Sequence, residues 1–367
     1  MINVELLKSI CETPGAPGFE QRIRELVISE VRPLVDQVEI DAMGNVLAIK
    51  KGKADKRVMI AAHMDEIGFI VTHIDEDGFV RFHTLGGFDP KTLTSQRVIV
   101  HGERDLVGVM GSKPIHLMKQ EERNKQVPIS EYFIDLGLPR EEVIKYVSVG
   151  DSITRDRELI EMGECVNSKS LDNRVSVFIL IEALRALKDQ EVPYDVYGVF
   201  TVQEEVGLRG AISSAHHIDP DFGYGLDVTI AFDVPGAQAH ERVTRLGKGA
   251  AIKIMDGTSI SDYRMVNYMK ETAAKHGIPW QPEVLPAGGT DTAGVQRSGK
   301  KGAIAGAISI PLRHMHQTIE MAHKQDVKHC IDLLQACLLE LDQYNWSFSK
   351  TRGGSSSASS AEIYDIP

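Results

Sequence analysis

His63 closes the apolar run Val58-Met59-Ile60-Ala61-Ala62, the doublet Glu204-Glu205 follows the run over 199–202, and His316 follows Ile308-Ser309-Ile310-Pro311. Asp172 sits in Ser170-Leu171-Asp172-Asn173, and Asp227 stands just ahead of the run over 228–232, the one member of the set that precedes its run. In α/β sheets the carboxyl ends of strands converge on one edge, where ligands bind. Imidazole mixed with carboxylate is the donor set of hard-to-borderline divalent cations such as zinc, cobalt or manganese.

Each residue also has a plainer reading. A lone histidine is more often a hydrogen-bonded structural group than a ligand, adjacent glutamates are by default a solvated pair, and Asp172 could cap the helix that follows it. Spacing shifts the balance. His63-x-Asp65 offers the imidazole a carboxylate for its second N–H, the usual arrangement around a ligating histidine. Two carboxylates at the end of a buried strand are costly unless something neutralises them, and a metal does so. Neighbouring strand residues point to opposite sides, so one glutamate can bind metal while the other faces a water.

Other chemistries find less support. Cys11, Cys165, Cys330 and Cys337 form no CxxC pair and read as core or near-surface thiols. Gly247-Lys248-Gly249 lacks the GxxxxGK[ST] pattern of a phosphate loop. His216-His217 and His240 read as surface residues without a special role. Gly288-Gly289-Thr290-Asp291 reads as a tight turn, and Arg313 holds a carboxylate in the site or a structural one.

The elements that would carry these residues follow from periodicity. Helical spacing of apolar residues predicts helices over 3–11 and 20–35, and alternation around Met43-Gly44 predicts a hairpin of 38–41 with 45–49. Residues 57–62 form a run apolar enough for a strand buried on both faces. From about 68 to 164 the chain breaks into short alternating segments with turn residues, interrupted by one helix-like stretch over 138–146, as a small β-rich insert would. From 172 onward helices (173–188, one starting at 210, 260–276, 323–344) alternate with strands (195–202, 228–232). That order gives an α/β fold, a mostly parallel or mixed sheet sandwiched by helices. Residues 347–367, with Gly353-Gly354-Ser355-Ser356-Ser357, are a disordered low-complexity tail of linker or tag character.

Composition sets the outer limits. The 367 residues carry 41 Lys+Arg against 52 Asp+Glu, a net charge of −11, which argues against sequence-independent nucleic-acid binding. The chain has no apolar stretch of about 18 residues, the length of a membrane-spanning helix. Met1-Ile2-Asn3-Val4-Glu5 has no basic and apolar leader, which makes the cytoplasm the expected location.

Six stretches taken together carry a family resemblance. They are Pro14-Gly15-Ala16-Pro17-Gly18-Phe19-Glu20, Ala62-His63-Met64-Asp65-Glu66-Ile67-Gly68-Phe69 and Ser170-Leu171-Asp172-Asn173-Arg174, then Gln203-Glu204-Glu205-Val206-Gly207-Leu208-Arg209-Gly210-Ala211, Gly289-Thr290-Asp291 and Pro311-Leu312-Arg313-His314-Met315-His316. With them the chain resembles metallopeptidase family M42, the glutamyl-aminopeptidase-like enzymes whose best-known members assemble into tetrahedral dodecamers. The likeness runs from residue 1 to about 345. It implies a zinc-peptidase-like catalytic domain in two parts, 1–67 and 165–346, with an inserted dimerisation domain over 68–164.

The resemblance also implies roles. Two divalent ions, zinc or cobalt, would be held with Asp172 bridging, His63 and Asp227 completing one site, and Glu205 and His316 the other. Glu204 would be the general base, and Asp65, the other catalytic member, the partner of His63. Gly288-Gly289-Thr290-Asp291 would be a loop on the substrate side, beside its reading as a tight turn. The family's last motif usually has Tyr where this chain has His314, and the spacing from Arg313 and Glu320 selects His316 as the ligand. The implied activity is removal of N-terminal residues from short peptides, by a homo-oligomer built of dimers. The competing readings are a dimetal deacylase or carboxypeptidase, and a glycoside hydrolase, which needs two carboxylates and no metal. Against the last stand the two histidines and the few aromatics, 6%. A non-catalytic relict would lack the base or a ligand, and all are present.

Overall fold

Alternate residues of the strand that ends at His63 serve different layers: Val58, Ile60 and Ala62 belong to one apolar core, Met59 and Ala61 to another. A strand that feeds two cores must lie inside a sheet covered on both faces. The computed structural model describes residues 2–348 and has that sheet at its centre.

The chain opens with helices α1 (Val4–Glu12) and α2 (Gln21–Val31), then strands β1 (Gln37–Ile40), β2 (Val46–Lys50) and β3 (Ala54–His63). Asn3 caps α1 by accepting from the Leu6 N–H. Helix α2 stops at Val31, short of the expected 35, where Pro33 supplies no N–H to carry the helical bonding on. Next come β4 (Gly68–Ile74), β5 (Val80–Leu85), β6 (Arg97–His101), β7 (Asp105–Gly111), the short helix α3 (Gln120–Arg123), β8 (Phe133–Asp135), α4 (Arg140–Tyr146) and β9 (Ser152–Arg155). These six strands close an antiparallel barrel in the order β4-β5-β8-β7-β6-β9 around its own core of Phe69, Val80, Val98 and Ile153.

The remainder returns to the large sheet. It comprises β10 (Ile160–Met162), β11 (Cys165–Ser168), α5 (Leu171–Leu187), β12 (Tyr194–Thr201), α6 (Arg209–Ile218) and β13 (Phe222–Ile230). Then follow β14 (Ala250–Met255), α7 (Tyr263–His276), β15 (Trp280–Val284), α8 (Thr292–Arg297), β16 (Ile304–Arg313), β17 (Glu320–His323) and α9 (Lys324–Glu340). The sheet runs β1-β2-β12-β3-β13-β16-β17-β11-β10, with β14 and β15 branching from β16. Its middle, β12-β3-β13-β16, is parallel and the flanks are antiparallel. Helices α1, α2, α5, α7 and α9 pack over one face, α6 and α8 over the other. The expected helix-covered mixed sheet with a separate β-rich module is therefore the architecture observed.

Several boundaries differ from the sequence reading. The strand expected over 228–232 is β13, which begins at Phe222 and carries Asp227 inside it. The helix expected from 260 begins at Tyr263, where Asp262 caps it by accepting from the Arg264 N–H. The helix expected to reach 344 ends at Glu340. Strands β14 and β15 had no counterpart in the reading. The expected tail over 347–367 lies outside the described residues apart from 347 and 348. Among the described residues no helix is long and apolar enough to cross a membrane.

Candidate metal centre

The parallel order of β12, β3, β13 and β16 sets their carboxyl ends side by side, and the residues in question arrive from there. His63 is the last residue of β3, Glu204-Glu205 follow β12, Asp227 lies late in β13, and His316 lies in the turn after β16. Asp172 comes from the head of α5, where its backbone is non-helical (φ −77°, ψ 103°). Its carboxylate turns to the histidines and caps no N–H. Oδ1 lies 3.4 Å from His63 Nε2, and Oδ2 lies 3.2 Å from His316 Nε2.

Around His63 Nε2, Glu204 Oε2 is at 3.8 Å and Asp227 Oδ1 at 3.9 Å, and Glu205 Oε2 is 3.7 Å from His316 Nε2. Two sets of donor atoms are each compact enough to hold one ion: His63, Asp172 and Asp227, and Asp172, Glu205 and His316. Asp172 is common to both. A third set, His63 with Glu204 and Glu205, overlaps them. His314 is exposed, and His316 is the histidine brought to the acids.

Side chains below the doublet fix four consecutive main-chain N–H groups. Asn45 Oδ1 accepts from Val202 at 2.9 Å and Glu20 Oε1 from Gln203 at 3.1 Å. Asp65 Oδ1 accepts from Glu204 and Asp65 Oδ2 from Glu205, each at 3.1 Å. This alters the expected role of Asp65. The group nearest His63 Nδ1 is the main-chain oxygen of Asp65 at 3.1 Å, with its carboxylate at 3.5 Å, because the carboxylate is turned to the doublet. Glu320, which entered the sequence reading only as a spacing mark, is fully buried and accepts from the Asp172 N–H and the His316 N–H, each at 2.9 Å. Asp291, at the head of α8, accepts from the Thr201 hydroxyl. Arg313 pairs with Asp233 at 2.6 Å, a structural contact. Cys11, Cys330 and Cys337 are buried and Cys165 is half-buried, all four as free thiols.

The electrostatics show a site overloaded with acid. Burial, then repulsion from Asp172, raises the Glu205 carboxyl to about 8 against the pull of His316 and His63. Burial raises Asp227 to about 7 and pushes Glu204 well above the carboxylate range, in both cases against His63. Burial and the Asp172 charge raise Glu320 to about 8, with Arg155 the cation that opposes it. Asp172 goes the other way: hydrogen bonds from His316 and His63 overcome its burial and hold it well below the usual range. His316 rises to about 10 although burial opposes its charge, because Asp172 and Glu205 face it.

Among the described residues, the ion pairs of Asp172, Glu204, Glu205 and Asp227 all go to His63 or His316, none to lysine or arginine. Buried Glu205 Oε1 has no hydrogen-bond partner. An orphaned carboxylate oxygen amid mixed imidazole and carboxylate donors fits a divalent cation.

The sequence profile of the M42 glutamyl aminopeptidases matches residues 44–333. The chain belongs to that family. Lysyl aminopeptidase of Pyrococcus furiosus is 36% identical over 93% of this chain and 98% of its own length. Among solved structures, an aminopeptidase from the archaeon Desulfurococcus kamchatkensis is 39% identical, with a TM-score of 0.89 over 95% of this chain and 98% of that one. A TET peptidase of Pyrococcus horikoshii that can assemble into a tetrahedron or a large octahedral shell is 34% identical, with a TM-score of 0.83 over 92% of this chain and 99% of that one. This M42 protein is thus an aminopeptidase, a hydrolase of peptide bonds.

Proposed function

We propose that this M42 aminopeptidase uses two divalent cations, zinc or cobalt, to release N-terminal residues from short peptides. The observation that carries the reading is the Asp172 carboxylate, whose two oxygens face the Nε2 atoms of two histidines at 3.4 and 3.2 Å, each histidine having its own further carboxylate. His63, Asp172 and Asp227 would hold one ion and Asp172, Glu205 and His316 the other. Ions so held supply Lewis acidity, which lowers the pKa of water and steadies charge developing on a peptide carbonyl oxygen.

The chain's own residues do the rest. Glu204 belongs to neither of the two sets that share Asp172, so its carboxylate is free to take a proton from the attacking water and hand it to the departing amine. Burial first, then its neighbours Asp227, Glu205 and Asp291, raise its proton affinity, as a group that must first accept a proton and then donate it requires. Asp65 holds the main chain of the doublet so that Glu204 and Glu205 keep different directions.

Residues 68–164, which include the barrel, are proposed as the dimerisation domain, 1–67 and 165–346 as the two parts of the catalytic domain. A homo-oligomer of TET type in the cytoplasm would admit only short, unfolded substrates. Cleavage of one short peptide, with its N-terminus free and acetylated, by zinc- or cobalt-loaded protein tests the function. Stepwise release from the free form alone is expected. Loss of the acetyl group or release from the C-terminus would move the protein to the deacylase or carboxypeptidase reading, and turnover of a glucan that survives chelator would sink the metal-dependent one.

A further inference from the structure

The loop that carries His316 is held from the barrel. His314 and His316 both have left-handed backbone, φ 61° and 62°, a conformation disfavoured for residues with a β-carbon. Such a loop persists only where its surroundings over-determine it. Three contacts from the barrel reach it. The Gly87 carbonyl lies 2.9 Å from His316 Nδ1. A carbonyl can only accept, so Nδ1 carries a proton held by Gly87, which leaves Nε2, facing Asp172 and Glu205, as the atom that would bind an ion once its own proton is released. Thr318 Oγ1 donates to Gln96 Oε1 at 3.2 Å.

The third contact is Arg155, the last residue of β9. Its Nη1 donates to the His316 main-chain oxygen at 3.2 Å. The side chain is buried, and its guanidinium carbon lies 5.7 Å from the centre of the Phe88 ring, next to Gly87. Glu320, the carboxylate that accepts from the main chains of His316 and Asp172, holds the same loop from within the large sheet. One guanidinium thus joins the backbone of His316 to the Phe88 ring beside the turn at Gly87. Among the described residues no side-chain hydrogen bond or ion pair from the barrel reaches His63 or Asp227, which are fixed within β3 and β13 of the large sheet.

We propose that Arg155 is a positioning residue through which the barrel holds the Asp172–Glu205–His316 ion specifically, leaving the ion at His63–Asp172–Asp227 to the large sheet. This rests on the dinuclear reading above. The test is metal stoichiometry by elemental analysis and stepwise affinity by calorimetry on the full-length, stripped and reloaded protein, with melting followed in parallel. Wild type is expected to take up two ions. Arg155→Met is expected to keep one at wild-type affinity and to bind the second about 10- to 100-fold more weakly. Arg155→Lys, which keeps a charged donor for the His316 carbonyl with less bonding capacity and is the milder change for folding, is expected to recover part of that loss. Asp227→Asn, the control, is expected to weaken the other ion.

Two ions at wild-type affinity in Arg155→Met would overturn the proposal, as would equal weakening of both ions in Arg155→Lys. A wild type that binds only one ion would overturn the dinuclear reading first, and this proposal with it.

Discussion

Asp65 Oδ1 accepts the main-chain N–H of Glu204 at 3.1 Å while its second oxygen accepts that of Glu205 at the same distance. Both oxygens are needed as acceptors. Asp65→Asn therefore sets an amide NH₂ against one of those N–H groups and leaves a buried donor unpaired, at a cost of about 1–3 kcal/mol. Turnover is expected to fall more than metal content, because the doublet loses its direction before the site loses its donors. Steady-state kinetics beside elemental analysis would show this, and metal loss in proportion to activity would count against it.

Glu204 and Asp172 should separate chemistry from binding. Glu204→Gln is expected to cut kcat by about 10²- to 10⁴-fold with both ions retained. Asp172→Asn is expected to lose metal outright, since that carboxylate is shared by the two donor sets. A Glu204→Gln protein that comes out metal-free would contradict the assignment of the base.

His314 and His316 differ in the same way. His314 is exposed and His316 Nε2 faces Asp172 at 3.2 Å, so His314→Ala should leave metal uptake unchanged while His316→Ala should lose one ion. The converse result would exchange the two assignments.

The acid-rich centre predicts a pH dependence for metal-free protein. Glu205 at about 8, Glu320 at about 8, Asp227 at about 7 and Asp291 at about 6 all lie above their unfolded values, each chiefly through burial, so the folded state keeps protons that the unfolded chain has released. His316, held at about 10 by Asp172 and Glu205 against its burial, acts with the same sign, its contribution being complete below its unfolded value near 6.5. Stability should therefore fall as pH rises from about 6 to about 8. Added zinc should raise Tm more at pH 8 than at pH 6, since its ligands must be deprotonated to bind. A metal-free Tm that climbs over that window would refute the account.

The strand-end rule made His63, Glu204, Glu205 and His316 visible in the sequence, because a run of core residues that stops at a polar group needs no partner to be noticed. Asp227 sat wrongly in that reading because Gly223 and Gly225 look like turn residues. They lie inside β13, where a β-carbon at Gly223 would come within 2.2 Å of Val295 and one at Gly225 within 2.0 Å of Thr292. Their smallness serves the packing of α8. Strand β15 was hidden likewise by Pro282 and by the buried Glu283. Arg155 and Gly87 left no trace at all, and Glu320 left only a spacing. Each acts through a hydrogen bond between a side chain and the main chain of a residue distant in sequence, and such a bond has no spacing to read.

The barrel is tied to the centre both through the chain and through space: the chain passes from His63 into β4 at Gly68, and the turn at Gly87 comes back to the His316 ring. Replacing the barrel with a foreign domain of equal span would keep every donor residue in the polypeptide and still strip one imidazole of its acceptor. The two parts of this fold are therefore expected to be inherited together. Divergence among homologues should spare the turn over 86–88 and Arg155.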